Sequence, residues 1–369
     1  MKLGMFMMPL HPVGRNITQA LREDLETVVH ADRVGFDEIW IGEHASCLTE
    51  PIVSPLIFLA AAIHQTKTIR LGTGTINLPQ HHPARMAGEI AQFDHMSEGR
   101  LLLGIGPGGL RSDFELFKTE DHAARPEMML ESIDMMIKIW SQDPPYTFKG
   151  KYWDFKLEES VIPEFGIGWM SKPYQKPHPP IAMSAMSTSS SSVRTAGQRD
   201  WSPISAPFIH KNALKTHWQA FEEGHAKAGR KADGANWRVG RTVVVASTDA
   251  QASDAAYDPK GQYYFYYDYL IRQMKQFNFS FIMKPDPAMP DDRLTAENVV
   301  TDRVIFGSPK RVAEQIVALR EEIGPFGTIV TSAHDWAGSD FEKQSMRLMA
   351  QEVMPLLRSA APSTNAAAS

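Results

Sequence analysis

The sequence predicts an α/β protein, a (β/α)8 barrel with insertions. Short apolar runs with strand character alternate with helix-like stretches, the pattern of a parallel sheet. Eight such runs can be counted, the number that closes a barrel. The chain has 369 residues and 43% hydrophobic content, enough for one large core with excursions from it. An open doubly wound sheet is the rival. Its dinucleotide fingerprint is not met, because "GIGPGG" follows a strand but does not lead at once into a helix.

The elements follow in order. Residues 2–8 form the first strand, stopped by Pro9 and Pro12. Leu21, Leu25, Val28 and Val29 lie on one stripe of a helix over 18–34, and Gly35 ends it. "DEIWI" (37–41) is a buried strand stopping at Gly42, Glu43 and His44. A helix over 54–66, a strand over 69–75, a helix over 83–96 and a strand over 101–105 come next. A helix over 127–140 places methionines and isoleucines inward. Residues 141–179 are rich in proline, glycine and aromatics, and read as a surface excursion. Strands resume over 180–183, 201–205 and 239–247. Residues 258–301 carry "YYFYYDY" and then prolines, and read as a lid with aromatic surface to spare. A helix over 309–323, a strand over 328–332 and a helix over 341–357 close a single domain, 1–358. The tail, 359–369, is expected to be disordered.

Composition narrows the function. The net charge is -5 with no basic tract, which argues against nucleic acid. Cys47 is the only cysteine, so no intrachain disulfide is possible and a cytoplasmic setting is expected. The N-terminus reads as a strand rather than a signal peptide, and no apolar run reaches the ~20 residues of a membrane helix. No metal site is expected: there is no HExxH and no cysteine cluster.

In a barrel the working face lies where strands end. Those ends deliver His11; Glu43 and His44; Gly74, Thr75 and Asn77; Gly106, Gly108 and Gly109; Ser184 and Ser187; and His334, Asp335 and Trp336. His44 has the chemistry of a general acid or base near neutral pH; alternatively it only caps a helix. Glu43 should point to the opposite face from His44, so it is not expected to be its direct partner. His81 and His82 read as solvated loop residues. The serine run beginning at Ser184, with Arg125, suits a phosphate.

A family resemblance runs over the stretches from "KLGMFMMP" through "GFDEIWIGEH", "IRLGTGTINLP", "DHMSEGRLLLGIGPG" and "FGSPKRVAEQI" to "EVMPLL" (352–357). In that order they resemble the bacterial luciferase-like flavin-dependent oxidoreductases, and "MPLHP" and "HDW" resemble the limonene-monooxygenase-like branch. The resemblance implies a TIM barrel binding FMN at its C-terminal face, usually as a homodimer. It implies a two-component monooxygenase, fed FMNH2 by a separate NAD(P)H-dependent flavin reductase. Oxygen is then the co-substrate, activated as a flavin C4a-(hydro)peroxide that oxygenates a small apolar organic substrate. His44 falls on the catalytic histidine. Gly74, Thr75, Asn77 and Gly106 would border the flavin, with a non-prolyl cis bond at Gly74–Thr75. Arg125, Ser184 and Ser187 would take the phosphate, and His11, His334 and Trp336 are candidates for the substrate pocket. Met183 replaces a glutamate of luciferase, and Gly106 and Pro107 replace a cysteine and an arginine. Two alternatives stay open: an F420-dependent oxidoreductase of the same fold, and a non-catalytic flavin-binding protein.

Overall fold

A computed structural model describes residues 1–335 and 340–359. Eight parallel strands close into a ring: β1 (Lys2–Met7), β2 (Glu38–Ile41), β3 (Arg70–Thr73), β4 (Leu101–Gly106), β5 (Ile181–Ala185), β6 (Ser202–Ser205), β7 (Arg238–Val245) and β8 (Thr328–Ser332). They are the eight runs expected from the sequence. The ring closes through β8 on β1 (Lys2 opposite Thr328) and β7 on both β6 and β8 (Arg238 opposite Ile204 and Thr328). A further strand, Val304–Gly307, was not expected; it pairs with the C-terminal half of β7, outside the ring.

Alternation along each strand separates two sets of side chains. Leu3, Met5, Ile39, Ile41, Leu101 and Leu103 face the surrounding helices and share one large core with them. Trp40, Leu102, Ala182 and Val330 fill the interior, with Phe6 and Ile204 against them. Lower in the barrel Glu38 takes two hydrogen bonds from Arg238 (2.7 and 3.0 Å) and one from the Trp40 indole (2.9 Å). The indole determines where glycine is needed. A Cβ on Gly72 would lie 2.6 Å from Trp40 Cε3, and one on Gly74 2.9 Å from Trp40 Cβ. Both glycines stand against Trp40, a contact that their place in "LGTGT" does not announce.

Helices Ile17–Val34, Pro83–Met96 and Pro309–Ile323 lie where the hydrophobic period put them. Asn16 caps the first, accepting from the Gln19 N–H at 3.0 Å, and Gly35 ends it in the left-handed region. Helices Arg111–Phe117, Ser191–Arg199 and Lys211–Lys227 were not delimited from sequence. The 141–179 excursion contains a hairpin (Tyr146–Lys149 with Asp154–Leu157) whose turn is held by Glu131, which accepts from the N–H groups of Lys151, Tyr152 and Trp153.

The 258–301 segment corrects the expectation of spare aromatic surface. It carries helices Gln262–Gln276 and Ala296–Arg303, and Tyr263, Tyr266 and Tyr267 are buried in a second core with Leu10, Val244 and Val300. The helix rests on the end of the barrel: Tyr267 OH meets Thr242 Oγ1 at 2.9 Å and Tyr269 OH meets Thr49 Oγ1 at 3.2 Å. Trp336 and residues 360–369 of the expected tail lie outside the described residues. No described helix is long and apolar enough to cross a membrane.

Candidate active site

The loop after β2 turns back on itself, with His44 N–H donating to Ile52 O at 3.1 Å. This brings Glu50 beside His44. The imidazole, 11% exposed, stands between two carboxylates: Nε2 is 3.6 Å from Glu50 Oε2 and Nδ1 is 3.4 Å from Asp113 Oδ2. Asp113 lies in the helix Arg111–Phe117 and also ties down the loop, accepting from the Ala45 N–H at 3.1 Å and from the Ser46 hydroxyl. Burial disfavours the imidazolium, but Asp113, Glu50 and Glu43 outweigh it and raise the His44 pKa above its ordinary value. Burial also works against the charge of Asp113; His44, Ser46 and the Ala45 N–H outweigh it and hold that carboxyl low. Neither carboxylate was identified from sequence. The "SDFEL" stretch carries the only signal: an acidic residue in a first helical turn just past the glycine-rich strand end.

Glu43 has other partners than His44. Its Oε1 accepts from the Asn77 N–H at 2.6 Å and lies 3.1 Å from His81 Nε2. His81 is therefore a partner of a buried acid rather than a solvated loop residue. Past the cis Gly74–Thr75 peptide, Ile76–Asn77 pairs with the end of β4, setting Asn77 opposite Gly106. Thr75 Oγ1 lies 3.3 Å from Asn77 Oδ1. A Cβ on Gly106 would lie 2.3 Å from Thr75 Oγ1 and 3.2 Å from Ser184 Oγ. The ends of β3, β4 and β5 thus bring Thr75, Asn77, Gly106 and Ser184 together, with the Thr75 hydroxyl in the space that a side chain on Gly106 would take.

Ser184 is half-buried and Ser187 exposed. The Ser187 carbonyl is held from behind: His217 Nε2 donates to it at 2.8 Å, while His217 Nδ1 pairs with Ser205 Oγ at 2.8 Å. Burial pushes His217 down to about 4, so its ring is neutral and can play both parts. Arg125 is buried at the start of helix Ala124–Ser141. Its guanidinium covers the Phe114 ring at 3.6 Å and donates through Nη1 to the carbonyls of Thr119 (2.9 Å) and Glu120 (3.3 Å). Its Nε is buried without a hydrogen-bond partner.

The other strand-end histidines are enclosed. His11 has Asp335 Oδ1 3.1 Å from Nδ1 and Asp24 Oδ2 3.2 Å from Nε2. Burial opposes its charge, but the two carboxylates prevail and lift it to about 9. His334 lies under the edges of Tyr263 and Tyr266, and burial pushes it down to about 3. Both ring nitrogens of His11 are thus engaged, while His334 Nδ1 is buried without a hydrogen-bond partner among the described residues.

Residues 1–325 match the family described as luciferase-like monooxygenase. The chain is 33% identical over 373 residues to 3,6-diketocamphane 1,6-monooxygenase of Pseudomonas putida, covering 96% of this chain and 98% of that protein. It is 28% identical over 353 residues to limonene 1,2-monooxygenase of Rhodococcus erythropolis, covering 95% of this chain and 85% of that protein. A solved structure superposes with a TM-score of 0.87 at 32% identity, covering 96% of this chain and 98% of that one. It is the oxygenating constituent of 3,6-diketocamphane monooxygenase, a type II Baeyer–Villiger monooxygenase, in complex with FMN. By its sequence over most of its length and by its ring of eight strands, the chain belongs to the luciferase-like monooxygenase family.

Proposed function

We propose that the protein is the oxygenating component of a two-component monooxygenase that uses FMNH2 and O2 to oxygenate a small apolar organic substrate. A separate NAD(P)H-dependent reductase would supply the reduced flavin. The observation that carries the reading is the setting of His44, at a strand end of the barrel between the carboxylates of Glu50 and Asp113. The FMN-bound relative supports the cofactor, and its description as an oxygenating constituent supports the division of labour. Relatives named for diketocamphane and limonene support a compact apolar substrate.

The residues present fit a flavin mononucleotide. Thr75, Asn77 and Ser184 converge at Gly106, where three strand ends meet. Ser184, Ser187 and the buried, unpartnered Nε of Arg125 are donors suited to a phosphate. Bound FMN, once reduced, supplies the electrons that activate O2. His44 would supply a proton to the reacting oxygen, with the Asp113 carboxylate 3.4 Å from its Nδ1. The tyrosine-lined helix Gln262–Gln276 would keep water from the site. A homodimer fits Leu48, Val53 and Ile57, which are 80%, 57% and 77% exposed on and beside the apolar helix Pro55–Ala62.

The test combines the purified protein with FMN, NADH and a generic flavin reductase, against a panel of cyclic terpenes and their diketones. Oxygen uptake coupled to an oxygenated product is expected. Uptake that appears wholly as H2O2 with every compound, or O2-independent hydride transfer with F420, would overturn the reading.

A further inference from the structure

Glu50 has been given no role of its own, yet its surroundings are unusual. The carboxylate is 7% exposed, and the only hydrogen bond it receives among the described residues comes from the Cys47 thiol, with Sγ 3.6 Å from Oε2. A thiol is a weak donor, and a buried carboxylate ordinarily takes stronger ones. What Glu50 faces instead is His44 Nε2, at 3.6 Å, while Asp113 faces Nδ1 at 3.4 Å. A neutral imidazole carries one N–H, so between two carboxylates it would turn one lone pair toward another. Only the imidazolium offers a proton to each side.

We propose that Glu50 is a positioning residue for His44: it holds a proton on Nε2 while Asp113 holds the one on Nδ1, so that His44 enters the reaction as a proton donor rather than a base. The inference rests on His44 being the reacting histidine of the proposed function. The charged and titratable groups around the pair are consistent with it. Glu43 adds negative charge near His44. Burial and Asp113 outweigh the pull of His44, Cys47 and His11 and leave the Glu50 carboxyl above its ordinary value, so its ionisation depends on His44 keeping its proton. Tyr266 and Tyr269 complete the surroundings, and burial raises both phenols, keeping them neutral.

The test is a pH titration of the histidine ring nitrogens by 15N NMR. It uses the full chain, without and with FMN, and assigns the His44 signals by difference from His44→Asn. At neutral pH the wild-type ring should carry protons on both nitrogens. Glu50→Gln should lower the midpoint by about one pH unit or more, the effect of removing an opposite charge at this range. Its neutral ring should then be protonated on Nδ1, toward Asp113. Asp113→Asn should also lower the midpoint but leave the neutral proton on Nε2, and Glu50→Asp should recover part of the loss. A wild-type His44 that is neutral at pH 7 overturns the proposal without any variant. So does an unchanged midpoint in a folded Glu50→Gln protein. The titration needs no turnover, so it fails or succeeds separately from the oxygenation assay.

Discussion

Glu43 Oε1 accepts the backbone N–H of Asn77 at 2.6 Å, fastening the end of the second strand to the segment just beyond the cis Gly74–Thr75 peptide. The bond sets the position of the chain that carries Thr75. Glu43→Ala would leave a buried N–H without an acceptor, a loss of about 1–3 kcal/mol. Chemical denaturation should show that loss, with Glu43→Gln closer to wild type because its amide oxygen still accepts. A Glu43→Ala protein as stable as wild type would mean that the loop finds another acceptor.

Gly106 is the place where a single methyl group should do the most damage. Its Cβ would meet Thr75 Oγ1 at 2.3 Å, so Gly106→Ala should cost about 1–3 kcal/mol through overpacking and weaken FMN binding. Adding Thr75→Ala removes that hydroxyl and should recover part of the stability, a coupling that a double-mutant cycle measures. Additive losses would show that the two strand ends can move apart.

His44→Asn can still cap a helix but cannot carry a ring proton. It should keep the fold, bind FMNH2 within about tenfold of wild type, and lose coupled oxygenation by roughly 100- to 10,000-fold. H2O2 should appear in place of product. Near-normal product yield would leave His44 as a structural residue.

Arg125→Ala tests two roles at once. If Nε takes a flavin phosphate, affinity for FMNH2 should fall about tenfold or more, the scale of one charge-assisted hydrogen bond. Losing the bonds to the Thr119 and Glu120 carbonyls should lower thermal stability as well. Lower stability with unchanged affinity would confine Arg125 to holding the turn before its helix.

His11 makes folding stability depend on pH. Its folded pKa, about 9, lies above the ordinary value of 6.5, so its contribution is complete below about 6.5 and is lost as pH rises through about 9. Comparing wild type with His11→Gln by denaturation between pH 6 and 10 should show their stability difference shrinking as pH rises. A constant difference would mean that Asp24 and Asp335 do not hold the charged ring.

What the sequence by itself determined was the ring and its working face. Strand and helix periods are local properties of a few neighbouring residues, so "DEIWI" and "LLLGI" announce buried strands wherever they end up. Chain direction then says which residues stand at the strand ends, His44 and Ser184 among them. The partnerships of those residues are not local. Asp113 reaches His44 from a seven-residue helix too short to show an amphipathic period, and Glu50 reaches it only because the loop doubles back onto Ile52. The glycines make the same point: Gly72 and Gly106 look alike in sequence, but one faces an indole and the other two hydroxyls. The tyrosines after residue 261 read as excess surface until Leu10, Val244 and Val300, distant in the chain, meet them in a second core. Such contacts depend on ring closure and strand register, which bring together residues that no short window of sequence contains.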